Sequence, residues 1–154
     1  MKCQQNVQPS RSEISAVAYA LEDELVQDFA NSIKIAGQSI QCSSLGFEFA
    51  HQSGRTDVIG VTKKGHLIAF EGKLIHWRKA LDQARRNTSF AHYSYVLLPN
   101  HTASLALRNR EQFHRFGVGL IVMHDGQPKI SIRAKRHNPL MPWLTDTAKR
   151  ATVQ

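Results

Sequence analysis

The segment from Asp57 to Lys73 constrains the fold more than any other: two apolar stretches, Asp57 to Thr62 and His66 to Lys73, are joined by Lys63-Lys64-Gly65. Gly65 can adopt the left-handed conformation of a bulged three-residue turn, so the segment predicts a β-hairpin. Its strands are apolar at odd and even positions alike (Val58, Ile59 and Val61; Leu67, Ile68, Ala69 and Phe70). A strand with one wet face alternates apolar and polar residues, so these strands must be covered on both faces, and helices are the natural cover.

The rest of the chain supplies those helices. From Ser12 to about Ile33 the apolar residues Ile14, Val17, Ala18, Leu21, Leu25, Phe29 and Ile33 recur at helical spacing, and Ser10 or Ser12 could cap the start. Leu45 to Ala50 reads as a short strand, Trp77 to about Thr88 as a helix, Tyr93 to Leu98 as a strand stopped by Pro99, and Ala103 to Phe116 as a helix closed by Gly117. Val118 to Met123 and Lys129 to Arg133 are strands around an Asp125-Gly126 turn, and an irregular basic tail with Pro139 and Pro142 follows. The order α-β-β-β-α-β-α-β-β predicts an α/β fold, a three-layer α/β/α sandwich around a central mixed sheet. At 154 residues and 42% hydrophobic content, the chain can build one core and is too short to favour two. The expected organisation is a flexible tail at 1–11, the domain at 12–134 and a basic tail at 135–154.

Charge is unevenly placed. Residues 1–72 hold six Lys/Arg against eight Asp/Glu, a net of −2, and residues 73–154 hold fourteen against four, a net of +10. A polyanion suits such a field, because Lys and Arg that neutralise phosphates release condensed counterions; a basic surface that only aids solubility is the plain alternative. No apolar run of about 18 residues and no secretory signal pattern occurs, so the expectation is a soluble, cytoplasmic chain with no membrane partner. Cys3 and Cys42 make neither a disulfide framework nor a metal knuckle, and the eight histidines lack zinc-ligand spacing.

If Lys63-Lys64-Gly65 is the hairpin loop, Thr62 pairs with His66, and counting outward sets Asp57 opposite Glu71 with both carboxylates on one face. Lys73 then lies on the face of Glu71, one step along; a two-residue turn would shift the register and move Asp57 to the other face. Two carboxylates can hold a hard cation such as Mg²⁺, with Mn²⁺ as a substitute, and a nearby ammonium can orient water or offset charge on phosphoryl oxygens. That set suits phosphodiester cleavage. A surface salt bridge among the same three residues is the ordinary alternative.

Gly54-Arg55-Thr56-Asp57-Val58-Ile59-Gly60-Val61 followed by Leu67-Ile68-Ala69-Phe70-Glu71-Gly72-Lys73 resembles the signature of the PD-(D/E)XK, or restriction-endonuclease-like, nuclease superfamily. The stretch Ala80-Leu81-Asp82-Gln83-Ala84, before the strand His92 to Pro99, is similar to the helix that carries a site-facing glutamine in many members, and the core order α-β-β-β-α-β agrees. The resemblance covers roughly residues 13–125 and has Thr56 where the motif name has proline. It implies a Mg²⁺-dependent deoxyribonuclease acting in repair, recombination or defence, with Asp57 and Glu71 as metal ligands and Lys73 and Gln83 as further catalytic residues.

Members often add a glutamate from the first helix. Glu22 and Glu24 both qualify, on opposite flanks of the apolar stripe, and likeness to archaeal-type junction resolvases favours Glu22. Glu48 is a third carboxylate that could face the site. Arg55 in the motif, and Arg78, Lys79, Arg85 and Arg86 on the glutamine helix, are candidate phosphate contacts, with a solvated helix face as the alternative. His76 reads as part of the helix start or a phosphate contact, Trp77 and Phe90 as core, and Arg133-Ala134-Lys135-Arg136-His137 as a second basic cluster. Many such nucleases are dimers, because one site cuts one strand, so a homodimer is a further expectation. The rival function is a DNA-binding or protein-docking module that keeps the fold without cleavage.

Overall fold

The hairpin forms with the three-residue turn. Gly65 takes φ +82°, its N–H donates to the Thr62 carbonyl at 2.9 Å, and the Thr62 N–H donates to the His66 carbonyl at 2.9 Å. The strands then pair Val61 with Leu67, Gly60 with Ile68, Ile59 with Ala69 and Val58 with Phe70, the register counted from the sequence.

A computed structural model describes residues 19–34 and 38–154. Along them run α1 (Glu22–Ile33), β1 (Ser44–His51), β2 (Gly54–Val61), β3 (Leu67–Gly72), α2 (Trp77–Asn87) and β4 (Tyr93–Pro99). They are followed by α3 (Asn100–Arg108), α4 (Arg110–Phe116), β5 (Gly119–His124), β6 (Gln127–Ile132) and α5 (Pro142–Arg150). The six strands form one sheet in chain order. β1, β2 and β3 are antiparallel neighbours, crossovers through α2 and through α3 with α4 make β3, β4 and β5 parallel, and β6 returns antiparallel. This mixed sheet with helices on both faces is the expected three-layer sandwich.

Period-two alternation divides the core. On one face Leu25, Phe29, Ala30 and Ile33 of α1 pack on Val58, Ile68, Phe70, Tyr95, Leu97 and Ile121. On the other, α2, α3 and α4 cover Val96, Leu98, Leu120 and Val122, and α5 brings Ala148 onto Ile59, Leu67 and Ala69. β3 is buried at all six positions, as its unbroken apolar run required.

Three expectations need correction. Tyr19 to Leu21 are not helical, so among the described residues the first helix starts at Glu22 rather than Ser12. Its start is fixed by Glu24, whose carboxylate accepts from the Ala20 N–H at 2.9 Å and from the N–H of the N-cap residue Leu21 at 3.4 Å, the second being the acid half of a capping box. Ser10, Ser12, Ile14, Val17 and Ala18 lie outside the described residues. The helix expected from Ala103 to Phe116 begins earlier, at Asn100, and breaks at Asn109, whose φ of −111° and ψ of 28° are not helical. The tail expected to be irregular contains α5, started by Pro142, which suits the first helical turn because it needs no N–H donor there. Past that helix, Leu45 and Val153 exchange two backbone hydrogen bonds of 2.9 Å, so the chain end pairs with β1.

Gly119 marks a close approach. It pairs with Tyr95 across β4 and β5, and a Cβ there would lie 2.3 Å from the tyrosine ring and 2.6 Å from the Ile132 carbonyl. Tyr95 in turn stacks on Phe70, which packs on Phe29 of α1. Gly119→Ala should therefore destabilise the fold by about 1–3 kcal/mol through overpacking, read by denaturant melts; a change within about 0.5 kcal/mol would show that Tyr95 can move aside freely.

Candidate active site

The site lies where β2 and β3 part. Their ladder ends at Val58 and Phe70, and beyond it the Gly72 N–H donates to Asp57 Oδ2 at 2.9 Å, so a side-chain carboxylate stands where a backbone carbonyl would continue the sheet. The Asp57 and Glu71 carboxyls are near enough to each other there for the Asp57 charge to raise Glu71. Gly72 between Glu71 and Lys73 lets α1 settle on the strand, since a Cβ would lie 2.8 Å from Val26.

The two carboxyls do not share one face in the simple sense expected. On β1 and β2, Phe47 and Val58 lie on the α1 side, yet Phe49 and Thr56, two residues along, lie on the α2 side. Alternation breaks between them, at the opposed residues Glu48 and Asp57. Glu48 has φ +50°, a left-handed conformation that costs a non-glycine residue roughly 1–2 kcal/mol and marks a local irregularity of the strand. Asp57 consequently opens onto a groove lined by Asp23, Val26, Gln27, Phe47 and Glu48, while Glu71 lines a cavity of about 50 Å³ on the α2 side with Gln83, Arg86 and Asn87.

Glu71 is 1% exposed and is held by a chain of buried polar groups. The Asn87 amide donates to Glu71 Oε1 at 2.8 Å, the Thr56 hydroxyl donates to Asn87 Oδ1 at 2.9 Å, and His51 Nε2 lies 3.0 Å from that hydroxyl. None of Asn87, Thr56 and His51 was a candidate from sequence. The available signal was Asn87, an amide on the buried stripe of α2, since a polar group on such a stripe requires a partner. Thr56, which departs from the motif name, is fully buried and carries the middle of the chain.

Among the described residues two buried acceptors remain without donors, Glu71 Oε2 and Gln83 Oε1, and both residues line the small cavity. Burial, and then the neighbouring Asp57 charge, push the Glu71 carboxyl up to about 8, against the Asn87 hydrogen bond. Burial raises Asp57 as well, opposed by the Gly72 N–H and Lys73. A buried acidic pair with an unpaired oxygen fits a cation, and two carboxylates with room for water are a donor set that Mg²⁺ accepts. Among the described residues no group of three or more His, Cys, Asp and Glu forms a cation cage, so water or substrate would have to complete the coordination.

Lys73 extends its ammonium to Glu22 Oε2 at 3.1 Å and lies close enough to both carboxyls to lower them. Between the two helix candidates, the geometry brings Glu22 to the site and leaves Glu24 at the helix cap. Glu48 is exposed beside the Asp57 groove, 3.9 Å from the exposed Arg55. Arg85 and Arg86 are half-exposed and both bind Asp82, which offsets part of their charge, and Arg86 also lines the Glu71 cavity. Arg78 is held over the Trp77 ring at 4.3 Å and Lys79 is exposed beside it. Trp77 and Phe90 are core residues, as expected.

No family model and no curated protein sequence matches the chain. Among solved structures, a protein of unknown function from Silicibacter pomeroyi is similar at a TM-score of 0.54 and 16% identity, over 70% of this chain and 69% of that one. A repair endonuclease from Pyrococcus abyssi matches at a TM-score of 0.38 and 16% identity, over 82% of this chain and 50% of that one. The first is a likeness of fold, and the second is too distant in shape to add to it. No helix among the described residues is long and apolar enough to cross a membrane.

The raised Glu71 has a consequence for stability. Between the ordinary glutamate range and about 8, the folded chain holds a proton that the unfolded chain has lost, so this group's contribution falls as pH rises through that window. In EDTA, the Tm of the wild type minus that of Glu71→Gln should fall from about pH 5 to about pH 8, because the amide cannot titrate. A difference that stays flat, or rises, would mean that Glu71 is not held protonated by its surroundings.

Proposed function

We propose that the protein is a metal-dependent nuclease of the PD-(D/E)XK type that hydrolyses phosphodiester bonds of DNA in repair, recombination or defence. The observation that carries this reading is the unpaired, buried Glu71 Oε2 beside Asp57, with the Lys73 ammonium close by. A docking surface would gain nothing from such a group, and a buried polar atom without a partner costs about 1–3 kcal/mol.

Asp57 and Glu71 would hold Mg²⁺ or Mn²⁺, which when bound polarises the phosphate and acidifies an attacking water. The chain's own residues prepare that site. Asn87 occupies Glu71 Oε1 and leaves Oε2 free, and the Gly72 N–H fixes Asp57 through Oδ2. Glu22 holds Lys73 extended, so its ammonium can donate to the attacking water or to a phosphoryl oxygen as negative charge develops there. Gln83 Oε1 can accept from a water in the cavity it shares with Glu71. Arg55, Arg78, Lys79, Arg85 and Arg86 would meet the phosphate backbone, and the +10 half would supply the long-range attraction.

Asp57→Asn and Glu71→Gln should abolish cleavage of plasmid and branched DNA by weakening the metal site, whereas Lys73→Met should abolish it with cation affinity retained. The measurement is cleavage in Mg²⁺ and Mn²⁺ beside calorimetric metal binding and a thermal melt. A wild type that cuts no nucleic acid in either metal and binds no cation would refute the enzyme and leave the non-catalytic module.

Duplex binding should weaken steeply with salt, and neutralising Arg85 and Arg86 together should reduce the slope by at most about two units, roughly one per lost phosphate contact. An unchanged slope would move the binding surface elsewhere, to the Arg133–Arg136 cluster first.

A further inference from the structure

Beyond Lys73 the chain turns into α2 and leaves an open groove of about 600 Å³ lined by Ile75, His76, Trp77, Arg78, Lys79 and Leu105. Its composition is unusual for a wet surface. Ile75 is 66% exposed and Leu105 55%, yet their groove also carries Arg78, Lys79 and an imidazole, and among the described residues no carboxylate lines it. The apolar walls call for a flat or aliphatic ligand surface, and the cations call for an anion. A second copy of this chain would bring a net charge of +8 against that basic groove, so self-association is electrostatically disfavoured.

The back of the groove is a preformed stack. Phe113 stacks on Trp77 with ring centroids 5.9 Å apart and planes inclined by 23°, and the Arg78 guanidinium is held 4.3 Å over the Trp77 ring. A guanidinium fixed in this way loses little freedom when a further flat group is laid on it, and nucleobases stack on such planes. Inside a duplex the base faces are already stacked on one another, so only an unpaired nucleotide offers a flat apolar face and a phosphate together.

We infer that this groove receives an unpaired nucleotide next to the scissile phosphate, its base against Ile75, Leu105 and Arg78 and its phosphate against Lys79 and His76. The preferred substrate is then duplex DNA with a single-stranded tail or branch, not continuous duplex. This rests on the nuclease reading and narrows it to a substrate class.

The test is fluorescence anisotropy in EDTA, where no metal-dependent cleavage occurs, with a blunt duplex and the same duplex carrying a short single-stranded tail. The wild type should bind the tailed duplex about tenfold more tightly, in line with the affinity that base stacking contributes. Ile75→Ser and, separately, Leu105→Ser should bring that ratio below about twofold. Both positions are exposed, and thermal melts verify that the variants fold. Equal affinity for the two substrates in the wild type, or a ratio that neither variant changes, overturns the inference while leaving nuclease activity standing. A protein that binds neither DNA but binds poly-L-glutamate through Ile75 overturns it in favour of an acidic protein partner, and the loss of all DNA binding also removes the reading beneath it.

Discussion

The burial of Glu71 is the constraint on which the site depends. A carboxyl at 1% exposure on the central strand β3 cannot remain charged without partners, and the surroundings meet that need on one oxygen only. Asn87 is placed by α2, Thr56 by β2 and Asp57 by the parting of the hairpin, so the position of a whole helix and the local shape of two strands converge on a single side chain. The unpaired oxygen and the mutual repulsion with Asp57 leave the site poised for positive charge, from a proton or from a cation.

Much of this was legible in the sequence, and the limits are instructive. Gly65 and the apolar runs determined the turn and hence the pairing from Val61 with Leu67 to Val58 with Phe70, which leaves Asp57 and Glu71 next along, where the strands part, because a hairpin register follows from its loop. The face that each carboxyl opens onto was not legible. Counting by twos assumes an unbroken pleat, and the left-handed residue Glu48 breaks it without any glycine or proline to announce the irregularity. Helical periodicity likewise could not separate Glu22 from Glu24, since both flank the apolar stripe; their roles differ by what lies beyond the helix, a lysine for one and two backbone N–H groups for the other. The α5 helix was missed because Pro139 and Pro142 read as breakers, although a proline in the first turn is as much a helix start as a stop.

The basic half of the chain resolves into local situations that a net charge cannot convey. Arg85 and Arg86 share Asp82, Arg55 faces Glu48, and Arg78 lies on an indole, so these cations begin with different obligations before any phosphate arrives. Among the described ion pairs Lys73 is the most buried cation, at 16% side-chain exposure, and it lies near enough to the acidic pair to lower both carboxyls. Sequence proximity therefore grouped residues that the fold assigns to separate surfaces: the Glu71 cavity takes Arg86, and the groove beyond Ile75 takes Arg78 and Lys79.

The strand order, unbroken from β1 to β6, also shapes how the molecule assembles. Each strand pairs with its neighbour in the chain, so most of the sheet closes through short loops, whose entropy is modest and whose formation is fast. Asp57, Glu71, Lys73, Gln83 and Asn87, together with Thr56 and His51, lie within one contiguous stretch from 51 to 87. The acidic pair and its buried amide are therefore close in sequence as well as in space. The contact between Leu45 and Val153 spans most of the chain and so has the largest loop-closure cost of these pairings; it clasps the edge strand β1, remote from the residues that organise the centre.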